Sequence, residues 1–171
     1  MRGRLRMLAH LAGLCSALVL VAPSHAAQGA SWTGIVTRVS DGDTLWVRPP
    51  GGQAPRKIRL DGIDAPEICQ RHGDDAAQAL ARRLLHQPVR LATRATDDYQ
   101  RAIAKVSFKG EDVGGWMVAQ GHAWSYRYRK NPGPYAREEA AARRFRRGLF
   151  ADAQPLPPRE FRKRHGACHA R

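Results

Sequence analysis

Residues 32–61 read WTGIVTRVSDGDTLWVRPPGGQAPRKIRLD, and the fold turns on this stretch. Ile35, Thr37 and Val39 alternate with Val36 and Arg38. Leu45 and Val47 alternate with Thr44, Trp46 and Arg48. A period of two marks half-buried strands, so two strands are predicted within residues 32–48. Asp41-Gly42 is the turn signal between them, and Pro49-Pro50-Gly51-Gly52 ends the second in a loop. Residues 56–61 make a third strand, with Ile58 and Leu60 on one face and Lys57, Arg59 and Asp61 on the other.

Further along, Asp74 to His86 carries Ala77, Leu80, Ala81, Leu84 and Leu85 at helical spacing. Asp74 and Asp75 suit the first turn of that helix, and Pro88 lies beyond its end. Val89–Thr93 and Arg101–Phe108 read as a hairpin connected through Asp97-Asp98-Tyr99-Gln100. Val113–Gln120 is a short helix closed by Gly121, and a third helix runs from Pro134-Tyr135 to about Arg147. Trp116, Met117, Val118 and Trp124 read as core, and Arg143, Arg144, Arg146 and Arg147 as an exposed basic face. Residues 153–171 are Pro-rich and then basic, and read as an extended tail. No internal repeat is visible. Five short strands with one helix between the third and fourth predict an α+β, β-rich fold: a five-stranded Greek-key barrel of the OB-fold type with about three helices packed beneath it.

The chain has 171 residues, room for one domain, and 43% apolar residues, enough for a core. Lys and Arg number 29 against 15 Asp and Glu, a net charge of +14. Arg supplies nearly all of that charge, and its fork matches phosphate geometry, which points to a polyanion such as nucleic acid. A protein aimed at anionic lipid would need an amphipathic helix with large exposed apolar residues, and the third helix offers mainly Ala and Arg.

Residues 1–26 read as a secretory signal. Arg2, Arg4 and Arg6 precede an apolar run from Leu8 to Ala22, and Ser24-His25-Ala26 sets small residues for cleavage after Ala26. The run is shorter than the roughly 20 residues that span a bilayer. Secreted or periplasmic localisation is therefore expected, with no stable membrane insertion after cleavage. The remaining divisions are a domain over 27–152 and the tail over 153–171. Loss of three arginines takes +14 to +11. Cys15 leaves with the leader, and Cys69 and Cys168 are left as an even pair in an oxidising compartment, so a disulfide between them is expected.

Three motifs carry chemistry. They are Val39-x-Asp41-Gly42-Asp43-Thr44, Arg59-Leu60-x-Gly62-Ile63-Asp64-Ala65-Pro66-Glu67, and Asp97-x-Tyr99-x-Arg101, followed by aromatics at Tyr126 and Tyr128. Each alone is ordinary turn or strand chemistry; their order and spacing are more specific. Together, from about Trp32 to Phe161, they resemble the staphylococcal-nuclease-like (thermonuclease) family. The resemblance implies an OB-fold and Ca²⁺-dependent hydrolysis of DNA and RNA. It implies that Asp43, Asp64 and the backbone carbonyl of Ala65 hold Ca²⁺, and that Glu67 is the general base. It further implies that Arg59 and Arg101 clamp the phosphate, and that Tyr99, Tyr126 and Tyr128 line the nucleotide pocket.

The residue chemistry agrees with that reading. Phosphodiester hydrolysis needs a hard cation, a positioned base for water and donors for developing charge. Asp oxygens suit Ca²⁺. Glu67 lies three residues past Asp64 across the stiff Pro66. Arg59 and Arg101, on neighbouring strands, could approach one phosphate from two sides. The resemblance further implies endonucleolytic cleavage to 3′-phosphate ends, and a monomer is expected because nothing in the sequence demands a dimer. The alternative is a non-catalytic nucleic-acid-binding module on the same fold, which would be expected to have lost the acids or the arginine pair.

Overall fold

The computed structural model describes residues 31–166 and Cys168. The predicted leader lies outside the described residues. Strand β1 (Ser31–Val39) pairs antiparallel with β2 (Thr44–Arg48) and with β5 (Pro88–Thr96). Strand β2 pairs with β3 (Arg56–Leu60), and β5 with β6 (Ala102–Phe108). A parallel pairing of β3 with β6 closes the ring, giving the five-stranded barrel of the OB-fold. Alternate residues enter it: Val36, Leu45, Val47, Ile58, Leu60, Leu91 and Val106 are buried. On β3 the polar face predicted for Lys57 and Arg59 is the outer one.

Three two-residue strands escape the periodicity. Strand β4 (Ile63–Asp64) pairs with β8 (Trp124–Ser125) outside the barrel, and β7 (Glu111–Asp112) extends β6. Two residues are too few for an alternating pattern to register.

Helix α1 (Gly73–Leu84) buries Ala76, Ala79, Leu80 and Leu84. The face is turned by about one residue from the predicted stripe. Leu85, counted in that stripe, is the residue past the helix end and is exposed. Helix α2 (Val113–Ala119) starts on Asp112, whose carboxylate accepts the Gly115 N–H. Met117, Val118 and Trp124 are buried as expected, and Trp116 packs partly against the core. Helix α3 (Ala136–Arg144) ends one turn sooner than predicted, and Gly148–Ala151 forms a 3-10 turn after it.

The tail is not extended. Pro158–His165 forms helix α4, with Pro158 in its first turn, where the missing N–H costs nothing. Its charged sequence has no apolar stripe to betray a helix. Cys69 and Cys168 are paired, with Cα atoms 5.8 Å apart, and this joins the tail to the loop before α1.

That loop is tightly built. A Cβ on Gly73 would lie 2.0 Å from the Glu67 carbonyl oxygen and 3.0 Å from the Ile68 carbonyl carbon. Only glycine lets α1 start this close to the Glu67 backbone. Gly73→Ala should therefore cost about 1–3 kcal/mol through overpacking. A melting curve by circular dichroism checks this. An unchanged Tm would mean that the loop can shift without penalty.

Candidate active site

The D-G-D-T turn delivers the first acids. Asp43 N–H donates to Asp41 Oδ1 at 2.9 Å, a side-chain turn that fixes both carboxylates at the entry to β2. Gly42 packs so closely on Ala65 and Ala76 that a Cβ would meet both at 2.7 Å. The turn is thereby pressed against the segment that carries Asp64. Asp43 is 5% exposed and Asp64 9%, both unusual for carboxylates.

Arg59 makes this burial tenable. Its Nη1 donates to Asp43 Oδ2 at 2.7 Å, and its Nη2 to Asp64 Oδ1 at 3.2 Å and to the Ile63 carbonyl at 3.3 Å. Asp43 also accepts from Thr44 Oγ1 at 2.9 Å and from the Ala65 N–H at 3.3 Å. Arg59 pairs with two of the acids, and Asp41 lies beside Asp43 with no cation of its own among the described residues. Burial, then Asp43, pushes the Asp41 carboxyl up to about 7. Burial, then Asp43, lifts Asp64 to about 6 even though Arg59 and Arg162 oppose the rise. Burial pulls the Arg59 guanidinium down, but Asp43 and then Asp64 outweigh it, so its pKa is raised.

Among the described residues no group of three or more His, Cys, Asp or Glu side chains is arranged to hold a metal ion. The donor set nevertheless fits a hard divalent cation. Asp43 and Asp64 converge on one guanidinium, carry more negative charge than it balances, and offer only oxygen.

Arg59 pairs with Ile103 across the parallel β3–β6 junction, and Arg101 lies two residues before Ile103. Both arginines therefore point from the same barrel face. Arg101 Nε donates to Asp97 Oδ2 at 2.8 Å, and Asp97 Oδ1 accepts the N–H groups of Tyr99 and Arg101 at 3.0 Å. Slight desolvation works against it, but these bonds hold the Asp97 carboxyl below the usual range. Gln100 sits at φ 58°, a left-handed position that favours glycine.

A groove of about 1150 Å³ runs over this face. Asp43, Arg59, Ala65, Glu67 and Arg101 line it, and so do Tyr99, Tyr126 and Tyr128. The three tyrosines are 79%, 48% and 63% exposed, so their rings face solvent rather than core. Asp64 lies behind the lining, reached through Arg59. The β4–β8 ladder sets Asp64 opposite Trp124, and the Tyr126 N–H donates to the Gly62 carbonyl at 2.8 Å. The acid segment and the aromatic segment are thus one hydrogen-bonded unit.

Two residues at this site read otherwise in the sequence. Asp41 reads as turn chemistry alone, and Arg162 as part of a solvated basic tail. Arg162 Nη1 instead donates to Glu67 Oε1 at 2.5 Å. Only the expected Cys69–Cys168 pairing hints that the tail approaches Glu67.

Protonation of Asp41 couples stability to pH. The folded state keeps its proton up to about pH 7, while the ordinary value of 3.8 describes the unfolded chain. Stability from this group is therefore complete below 3.8 and is lost as pH rises through about 7. Asp41→Asn retains a side-chain oxygen for the Asp43 N–H and removes the charge. In chelator it should stabilise by on the order of 2 kcal/mol at pH 8 and by little at pH 4. Equal Tm gains at the two pH values would contradict this.

Comparison with known proteins agrees with the geometry. Residues 57–152 match the family described as Staphylococcal nuclease homologue. An uncharacterized endonuclease of Haemophilus influenzae is 35% identical over 128 residues, covering 75% of this chain and 71% of that protein. The micrococcal nuclease of Shigella flexneri is 33% identical over 167 residues, covering 91% and 94%. Protein ParB of Escherichia coli is 33% identical over 174 residues, covering 95% of each. A closed OB barrel, acids gathered around Arg59 at its rim and these whole-length similarities have one common explanation: the chain belongs to the staphylococcal nuclease homologue family.

Proposed function

We propose that this protein is a secreted or periplasmic, Ca²⁺-dependent endonuclease that cleaves DNA and RNA to 3′-phosphate ends. As a member of a nuclease family it hydrolyses phosphodiester bonds, and nucleic acid is its substrate. The observation that carries the finer reading is the crowding of buried acids on Arg59 at one end of a groove whose other walls are basic and aromatic. That crowding supports a divalent cation at Asp43, Asp64 and the Ala65 carbonyl. Ca²⁺ bound there would supply positive charge against a phosphoryl oxygen and help to ionise the attacking water.

The remaining work belongs to the chain. Glu67 takes the proton of the water that attacks phosphorus in line with the departing 5′-oxygen. Arg59 and Arg101 hold the phosphate between them and oppose the negative charge that grows on its equatorial oxygens. Asp97 holds the Arg101 fork in orientation through its short bond to Nε. Tyr99, Tyr126 and Tyr128 offer exposed ring faces on which bases stack without regard to sequence. Secretion rests on the leader read from residues 1–26, and the groove is complete in one copy, which supports a monomer. An oxidising compartment supports a Cys69–Cys168 disulfide in the mature protein.

The test is digestion of plasmid, single-stranded DNA and RNA with Ca²⁺, with Mg²⁺ and with a calcium chelator. Cleavage should require Ca²⁺. Glu67→Gln should lower kcat by roughly 10²–10⁴-fold while sparing affinity for DNA. Cleavage at the parent rate by that variant would remove Glu67 from the role of base.

A further inference from the structure

The tail is fastened along the loop that carries Glu67. Gln70 Nε2 donates to the Leu156 carbonyl at 2.6 Å, and Gln70 Oε1 accepts the Glu67 N–H at 3.2 Å. Asp152 takes Arg71 at 2.9 Å and His72 Nε2 at 3.0 Å. Cys69 is bonded to Cys168, past the end of α4. An eight-residue helix has no stability of its own in water, so these anchors decide where α4 lies.

What they deliver is a guanidinium. Arg162 Nη1 is 2.5 Å from Glu67 Oε1 and 3.9 Å from Asp64 Oδ1. Arg59 Nη2 meets that same Asp64 oxygen at 3.2 Å. Two arginines from opposite ends of the domain sequence therefore converge on one carboxylate. Arg162 lines the groove, and its side chain is 39% exposed. Among the described residues its guanidinium donates one hydrogen bond, to Glu67, and the other donors of the fork are left for a ligand. Arg162 lines the same groove as Arg59, Glu67 and Arg101, which puts its free donors in reach of a phosphate held there.

We propose that Arg162 is a third phosphate-binding arginine of this site, and that the Cys69–Cys168 bond holds it there. The proposal rests on the reading of Glu67 and Asp64 as the reaction centre. The ligand is a phosphodiester group of the substrate strand, either the one cleaved or its neighbour. Breaking the bond frees the tail, and the site then keeps Arg59 and Arg101 without Arg162.

Binding reads this arginine apart from cleavage. The purified protein is titrated with a nuclease-resistant phosphorothioate oligonucleotide, with Ca²⁺ present, over a series of salt concentrations. Removing one cationic partner of a single-strand phosphate flattens the slope of log K against log salt by about 0.7. Arg162→Ala should show that change and about tenfold weaker binding, the worth of one charge-assisted hydrogen bond. Arg162→Lys should recover the slope, since it keeps the charge. Dithiothreitol, which closes to its own cyclic disulfide as it opens Cys69–Cys168 to two thiols, should bring the parent to the level of Arg162→Ala. It should change Arg162→Ala no further, and Cys168→Ser should match the reduced parent. Circular dichroism verifies that each form is folded.

An unchanged slope in Arg162→Ala would overturn the proposal and leave Arg162 as a brace for Glu67. Faster cleavage by that variant would overturn it too, because Arg162 would then be shielding the base. Indifference of the parent to reductant would overturn the part assigned to the disulfide. Glu67→Gln run in parallel separates the two readings. If it cleaves like the parent the catalytic reading fails, whereas the salt slope of Arg162→Ala stands or falls by itself.

Discussion

Two buried carboxylates joined by a single guanidinium hold the working end of this barrel together. Asp43 and Asp64 come from different elements, and each would be costly to bury alone. Arg59 satisfies both, and in doing so ties the β1–β2 turn to the segment that follows β3. A buried ion cluster of this kind is a poor source of stability, because desolvation offsets most of the attraction. Its value is geometric. Burial first and the neighbouring Asp43 second raise the Asp41 and Asp64 carboxyls, and a further cation would offset the second of these. Buried acids shifted in this way are commoner at binding sites than in cores.

A third buried acid supports the segment that carries Tyr126 and Tyr128. Glu139 on α3 is 2% exposed and takes the Ser125 N–H at 3.0 Å, Arg127 at 2.6 Å and Arg143 at 2.8 Å. Its bonds pull β8 onto α3, while the β4 pairing pulls β8 toward Asp64. Tyr126 and Tyr128 leave this junction with their rings in solvent. The helices beneath the barrel thus reach the groove through one short strand. Tyr135 completes the support: its hydroxyl donates to Asp112 at 2.9 Å, and its ring fills the space beside Gly114. Burial and then the Asp112 carboxylate push its phenol well above the ordinary range, so it stays a donor.

The barrel was legible because its strands alternate over five or more residues, and β3 even displayed which face Arg59 would take. The motif residues were legible as a set for a related reason. They sit within a few positions of strand ends, where register fixes their direction. Legibility failed where structure depends on remote partners. Strands β4 and β8 exist only because Glu139 and the Asp64 segment hold them, and two residues show no period. The face of α1 is set by what it packs on, Ala76 against Gly42 among them, a contact that no local pattern encodes. Helix α4 was hidden by its composition, since a helix with charge on nearly every side reads as tail. Asp41 read as a turn residue and is one; its membership of the acid cluster follows from burial, which local sequence does not display.

The proposed secretion and the proposed role of Arg162 bear on each other. Residues 152–166 and Cys168 meet the rest of the chain through polar contacts, the buried Pro158 and one covalent bond, with Leu156 and Phe161 only partly covered. Surface ion pairs such as Arg71 with Asp152 contribute roughly 0–1 kcal/mol each. A bond that closes a 99-residue separation contributes several times as much by restricting the unfolded chain. With the proposed pairing, the Cys69–Cys168 bond is the strongest single tie between the tail and the loop that carries Glu67. With that bond reduced, the proposal has Arg59 and Arg101 stay on the barrel while Arg162 keeps only the noncovalent anchors of the tail. Under the proposed export and the proposed role of Arg162, the site would bind its substrate best in an oxidising compartment.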